Sequence, residues 1–155
     1  MRKEFAELLY NLMYENNNVV LLTADLGYCL FDKIRDSFPD RFYNVGSCEQ
    51  LMIGMGVGLS YSGKIPVCYS ITSFLLYRPF EMIRNYLNHE KAPVKLIGGG
   101  RDKDYLTLGF THQAEDDTKI MSNFENIVFI KQDDLSGIKE HLLSDKPVYI
   151  NLTRQ

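Results

Sequence analysis

Glu49 is the side chain in this sequence best placed to do chemistry. It stands where a short strand-like run gives way to a helical pattern, and that helix is studded with Gly54, Gly56 and Gly58. A glycine inside a helix costs up to about 1 kcal/mol relative to alanine, so three of them signal very close packing by another backbone or a ligand. The string GMGVG does not fit GxGxxG, and it lies inside a helical pattern rather than in a strand-to-helix turn. A dinucleotide fingerprint is therefore a poor reading. Four further residues, Asp25, Phe74, His112 and Arg154, follow other strand-like runs, and Tyr77 lies close after Phe74. Arginine suits phosphate through its bidentate fork, and flat heteroaromatic rings bury well against phenyl faces. Taken singly, each has an ordinary structural reading. Glu49 is then a carboxylate favoured by a helix dipole, and Phe74 and Tyr77 are core aromatics. His112 is a surface histidine, Arg154 a solvated charge, and Asp25 a helix cap.

These residues gain meaning from the elements that must position them. Phe5, Leu8, Leu9, Leu12 and Met13 follow the spacing of a helix with one buried stripe, which Asn16 to Asn18 break. Val19 to Thr23 reads as a strand ending at Ala24-Asp25-Leu26-Gly27. Residues 30–38 read as helical up to Pro39, Phe42 to Val45 as a strand, and Glu49 to Tyr61 as a helix with Leu51, Met52, Met55 and Leu59 on one face. Strand-like runs at Pro66 to Ile71, Val94 to Ile97, Ile127 to Ile130 and Val148 to Leu152 alternate with helical stretches near 76–88, 114–122 and 134–143. Gly98, Gly99 and Gly100 follow the second of those runs. Alternation of this kind implies crossover connections. The expected fold is therefore α/β, three layers, with a mostly parallel sheet covered by helices on both faces. Residues 1–155 are expected to form a single domain, since no linker or repeat interrupts them. Ligands of such sheets sit outside the carboxyl ends of the strands, and the loops there carry Asp25, Glu49, Phe74, His112 and Arg154.

The stretch NVGSCEQLMIGMGVGLSYSGKIPVCYSITSF, with GFTHQAEDD at 109–117, resembles the pyrimidine-binding domain of the transketolase family. TADLG at 23–27 and KPVYINLTRQ at 146–155 are weaker echoes, and order and spacing agree along essentially the whole chain. The resemblance implies a thiamine diphosphate-dependent enzyme. It implies that Glu49 hydrogen-bonds N1′ of the cofactor's aminopyrimidine and favours the imino tautomer that deprotonates C2. A partly desolvated carboxyl suits that role. It further implies that Phe74 and Tyr77 surround the ring, that His112 faces the substrate and that Arg154 holds a sugar phosphate. Asp25 falls at the cofactor-side subunit interface. Ile71 stands where an aromatic is common in the family. Leu108 and Gly100 stand where transketolases proper carry an acidic residue and a further histidine. Asp102, Asp104 or Arg101 is a candidate substitute.

The family binds the diphosphate through a divalent metal, such as Mg2+, held by a GDG…N segment in another domain. This chain contains no GDG. It is thus expected to be a subunit of a split enzyme, with the metal on a diphosphate-binding partner and a dimer of heterodimers as the assembly. A start at Met1 and an end just after Arg154 agree with a stand-alone subunit rather than a cut piece. The favoured reaction transfers a two-carbon or acyl unit between sugar or oxo substrates. The alternatives are the small subunit of a sulfopyruvate- or phosphonopyruvate-type 2-oxo acid decarboxylase, and a non-catalytic regulatory paralogue. The net charge of −3 argues against nucleic acid or anionic membrane as the main partner. Glu4 and Glu7 interrupt any signal-peptide core. Cys29, Cys48 and Cys68 form no metal pattern and suggest reduced thiols in the cytoplasm, with Cys29 and Cys68 buried.

Overall fold

A computed structural model describes residues 1–154. Its centre is a six-stranded sheet, all parallel, in the order β2-β1-β3-β4-β6-β5. The strands are β1 (Val19–Thr23), β2 (Phe42–Asn44), β3 (Ile65–Ile71), β4 (Lys95–Gly99), β5 (Val128–Ile130) and β6 (Val148–Leu152). Each central strand is apolar on both faces, as a covered parallel sheet requires. On β1, Val19 and Leu21 face one layer, and Val20 and Leu22 face the other. The first layer is α1 (Arg2–Glu15), α2 (Asp32–Ser37) and α7 (Ile138–Leu143), packed around Phe5, Leu9, Met13, Phe31, Ile34 and Leu142. The second is α3 (Glu49–Tyr61), α4 (Thr72–Tyr77), α5 (Phe80–Met82) and α6 (Asp117–Met121), with Met52, Ile53, Leu75 and Met121. The expected three-layer α/β fold is therefore the observed one. No described helix is long and apolar enough to cross a membrane.

Several local expectations are corrected. The buried stripe of α3 is Met52, Ile53, Gly56, Val57 and Ser60, whereas Leu51 is 50% exposed. This helix is apolar on most sides, so its sequence marks no single inner face. The stretch expected to be helical from about 76 starts at Thr72, breaks at Arg78-Pro79 and resumes as α5, passing into a π-helical segment at Ile83–His89. Pro79 explains the break, because it offers no N–H to the ladder. Gly98 and Gly99 belong to β4 rather than to the loop after it. A Cβ on Gly98 would lie 2.5 Å from Thr72 Oγ1, and one on Gly99 would lie 2.5 Å from the Tyr69 hydroxyl. Gly56 packs within this chain, where a Cβ would come 2.9 Å from Cys68 Sγ, while Gly58 faces open space. Cys29 is exposed, not buried: it adopts a left-handed backbone (φ 61°) in the loop after β1.

Candidate functional site

The carboxylate of Glu49 lies at the first turn of α3, beyond the carboxyl end of β2, and is 2% exposed. The turn that delivers it is held by Asn44. The Asn44 carboxamide oxygen accepts the backbone N–H of Asp25 at 2.9 Å and that of Gly46 at 3.1 Å. One side chain thus ties the loop after β1 to the loop after β2. Asp25 adopts φ 55° and accepts a hydrogen bond from the Tyr28 hydroxyl. It caps no helix, since α2 begins only at Asp32.

Burying a carboxylate demands a partner. Arg78 supplies it: its Nη1 lies 2.9 Å from both Glu49 oxygens, and Ser70 Oγ on β3 lies 3.4 Å from Oε1. The Arg78 guanidinium also lies 3.7 Å from the centroid of the Phe74 ring. The other side of this cluster is the THQ turn. His112 meets the Phe74 ring edge-on, with centroids 4.9 Å apart, and Ser73 Oγ donates to the Thr111 carbonyl at 2.9 Å. Tyr77 donates to Asp116, and burial followed by that carboxylate pushes its hydroxyl far above the ordinary tyrosine range. Ser73, Phe74, Tyr77, Arg78, Thr111 and Asp116 line a cavity of about 410 Å3. Glu49, Phe74, Tyr77 and His112 are thus brought together on the α4 side of the sheet. Phe110, beside them, is 85% exposed.

Asp117, the first residue of α6 and four positions beyond the THQ turn, is fully buried. Its carboxylate accepts from Asn151 Nδ2 at 2.6 Å, from the Tyr149 hydroxyl at 3.1 Å and from Lys131 Nζ at 3.2 Å. The absence of a side chain at Gly98 leaves room for this polar layer beside Thr72 and Tyr149, and that at Gly99 leaves room for Tyr69 on the opposite face of the sheet.

Arg154 belongs to a different cluster, on the α1 side of the sheet. Its guanidinium lies 5.0 Å from the Tyr105 ring, and its carbonyl accepts from Arg2 Nε at 3.1 Å. Arg2 Nη1 in turn donates to the Tyr105 hydroxyl at 3.1 Å. Arg2, Lys3, Tyr28, Tyr69, Tyr105 and Arg154 line a cavity of about 650 Å3. The candidate substitutes in the 100–108 loop do structural work instead. Arg101 is buried and bonded to Asn151, Gln132 and Asp133. Asp102 is paired with Lys131, and Asp104 accepts the backbone N–H groups of Arg101 and Arg154. Sequence reasoning misses Arg2, Asn44, Arg78 and Asp117. A signal exists for Arg78, a lone charge between an apolar run and a proline. Arg2 is visible only as part of a basic N-terminus.

The sheet and this crevice define a doubly wound α/β domain with a buried carboxylate beside an aromatic face at the carboxyl ends of its strands. Residues 1–155 match the family described as the transketolase pyrimidine-binding domain, and the chain belongs to that family. It is 34% identical over 160 residues to a protein provisionally described as a transketolase C-terminal section from Methanocaldococcus jannaschii, covering 100% of this chain and 51% of that protein. It is 37% identical over 90 residues to one subunit of the apulose-4-phosphate transketolase of Actinobacillus succinogenes, covering 58% of this chain and 29% of that one. A solved split-gene transketolase, described as an inactive β4 tetramer, superposes with a TM-score of 0.86 at 31% identity, over 99% of this chain and 50% of that chain. The chain therefore spans about half the length, or less, of these relatives.

Proposed function

We infer that residues 1–155 act as one pyrimidine-binding domain of a thiamine diphosphate-dependent, transketolase-like transferase whose site is completed by a second chain. The observation that carries this reading is the Glu49 carboxylate, 2% exposed at the start of a 13-residue helix and linked through one guanidinium to the face of Phe74. These residues fit the flat, hydrogen-bonding half of thiamine diphosphate. Burial excludes water from the carboxylate, the ring offers a stacking face, and the cavity beside them is about 410 Å3. When bound, the cofactor supplies the electron sink that carbon–carbon cleavage beside a carbonyl requires.

The chain's own residues then have distinct tasks. Glu49 shares a proton with the pyrimidine ring nitrogen, and Phe74 and Tyr77 bury the ring. His112 offers a ring nitrogen to the reacting oxygen of the substrate. On the far side, Arg154 and its neighbour Arg2 present two guanidinium groups to a substrate phosphate. Asp25 lies at the cofactor-side interface with the partner. We assign no metal ligand to this chain; the diphosphate and its Mg2+ or other divalent ion belong to a partner carrying a GDG…N segment. A dimer of heterodimers in the cytoplasm, acting on sugar or oxo substrates, completes the reading. The similarity to a β-only tetramer described as inactive supports the need for a second chain.

The test is calorimetry with thiamine diphosphate and magnesium, first on the purified chain and then on the chain mixed with a GDG…N-bearing partner. The expected result is no tight binding by the chain alone and tight, magnesium-dependent binding by the mixture. Tight, magnesium-dependent binding by the chain alone would show that the site is not split.

A further inference from the structure

Arg78 makes two contacts at once. Its Nη1 donates to both Glu49 oxygens at 2.9 Å, and its guanidinium lies 3.7 Å from the centroid of Phe74. A guanidinium is flat, carries N–H donors and stacks on aromatic faces. Under the reading above, a flat aminopyrimidine would take those same two contacts, one on the carboxylate and one on the ring. Both cannot be occupied twice. We propose that Arg78 is a built-in stand-in for the pyrimidine: it closes the cofactor pocket of this chain and must swing out before the cofactor enters. This inference rests on the functional reading of Glu49 and Phe74 and adds a regulatory element to that site.

The asymmetry of the pair shows which partner moves. The Arg78 side chain is 45% exposed, whereas that of Glu49 is 2% exposed. Arg78 follows the last residue of α4 and precedes Pro79, at the break between two helical segments. Its hydrogen bonds among the described residues go to Glu49 alone. Leaving the pocket therefore returns Arg78 to water at little cost. Glu49 has no such exit, because it is fixed at the first turn of α3 and, among the described residues, its only other hydrogen-bond partner is Ser70 at 3.4 Å. A buried carboxylate left without a donor is heavily penalised. The plug thus satisfies Glu49 until a ligand arrives with its own N–H or protonated ring nitrogen. The outcome is an exchange of one flat donor for another, not the filling of an empty slot.

Such a plug lowers apparent affinity in proportion to the fraction of molecules with the pocket open. Removing it tightens binding. The experiment uses the assembled complex with its diphosphate-binding partner, in magnesium, and reads the dissociation constant of thiamine diphosphate by calorimetry. Arg78→Ala is expected to bind on the order of tenfold more tightly than the wild type. Arg78→Gln, which keeps a neutral donor near Glu49, is expected to fall between the two and serves if the alanine variant folds poorly. Guanidinium chloride at low millimolar concentration should weaken cofactor binding to Arg78→Ala competitively. An equal concentration of sodium chloride should not. Affinities of both variants equal to or weaker than that of a binding-competent wild type would overturn the plug while leaving the site assignment intact. A wild-type complex that binds no cofactor at all would overturn both.

Discussion

Replacing Glu49 by glutamine separates the structural role of this side chain from its chemical one. The change is isosteric, and it leaves an acceptor oxygen for Arg78 and Ser70, which lie 2.9 Å and 3.4 Å away. It removes the charge from a side chain that is 2% exposed. Two effects then oppose one another in stability. The charge-assisted bond to Arg78 becomes a neutral one, a loss of about 1–2 kcal/mol. The cost of keeping a carboxylate out of water disappears as well. Arg78 is 45% exposed, so its freed charge is met by solvent. The net change is expected to stay within about 1 kcal/mol, which for a domain of this size is a shift of roughly 2–4 °C in Tm. The chemistry is expected to change far more. Glutamine holds no exchangeable acid proton for the pyrimidine nitrogen, and general acid–base contributions run to about 100- to 10,000-fold. That corresponds to roughly 3–5 kcal/mol of barrier. The assay is hydrogen–deuterium exchange at C2 of the bound cofactor in the assembled complex, quenched in acid and read by NMR, alongside thermal unfolding. Exchange within about threefold of the wild type, with the cofactor demonstrably bound, would refute the role given to Glu49.

Two further perturbations probe other parts of the molecule. Arg154→Ala and Arg2→Ala are each expected to raise KM for a phosphorylated substrate by about 10- to 100-fold, from loss of charge-assisted bonds. The effect on the unphosphorylated analogue should be much smaller, and equal effects on both substrates would remove the phosphate from this cavity. Lys95 is buried on β4 with Nζ 2.7 Å from the Ser144 carbonyl, and burial pulls its ammonium down to about 8 from 10.5. Because the unfolded chain binds the proton more tightly, Lys95 by itself adds stability between pH 8 and 10, on the order of 2 kcal/mol. The Cys68 thiol, raised by burial, acts in the opposite direction from about pH 9 upward, and buried Tyr69 and Tyr149, whose hydroxyls are raised by burial, join it above 10. Urea denaturation from pH 8 to 10 is expected to show wild-type stability gaining on that of Lys95→Met by on the order of 2 kcal/mol; parallel profiles in the two would exclude Lys95 as a source of pH dependence.

How much of this is legible in the sequence depends on how far each feature reaches along the chain. Strand and helix order follow from short-range pattern, and the strands at Val19–Thr23 and Val148–Leu152 and the helix at Glu49–Tyr61 fall where the pattern puts them. The face of α3 does not follow, because apolar residues surround it and periodicity marks one face only when the others are polar. Periodicity puts Leu51 inside for that reason, and it lies outside. Residue type alone puts Cys29 inside, and a left-handed turn carries it out. Glycines after β4 look like a loop, since nothing local records that Tyr69 and Thr72 fill the space where their side chains would be.

Partners across the sheet are harder still. The parallel topology places the carboxyl ends of all strands on one edge, so residues far apart in sequence become neighbours there. Arg78 reaches Glu49 from 29 positions away, and Arg2 reaches Arg154 from 152. Local pattern can mark Glu49 as a buried-looking acid at a helix start. It cannot name the cation beside it, because that cation lies at the break between α4 and α5, one crossover further along. The physics nevertheless requires one: a carboxylate at 2% exposure needs a donor. A candidate is present in LLYRPF, a single charge between an apolar run and a proline that breaks the helix. The same reasoning explains why Asp102, Asp104 and Arg101 look available for substrate in the sequence and are not so in the fold. Each is a polar residue in a loop, and each is consumed by an obligation of the fold: Arg101 by the carbonyls of Gln132 and Asn151, Asp104 by two backbone N–H groups, Asp102 by Lys131. A polar side chain is free for function only after the backbone and buried charges around it have been satisfied. In this chain Arg78 meets such an obligation, pairing with Glu49 on the wall of the pocket, by a contact that a ligand could replace.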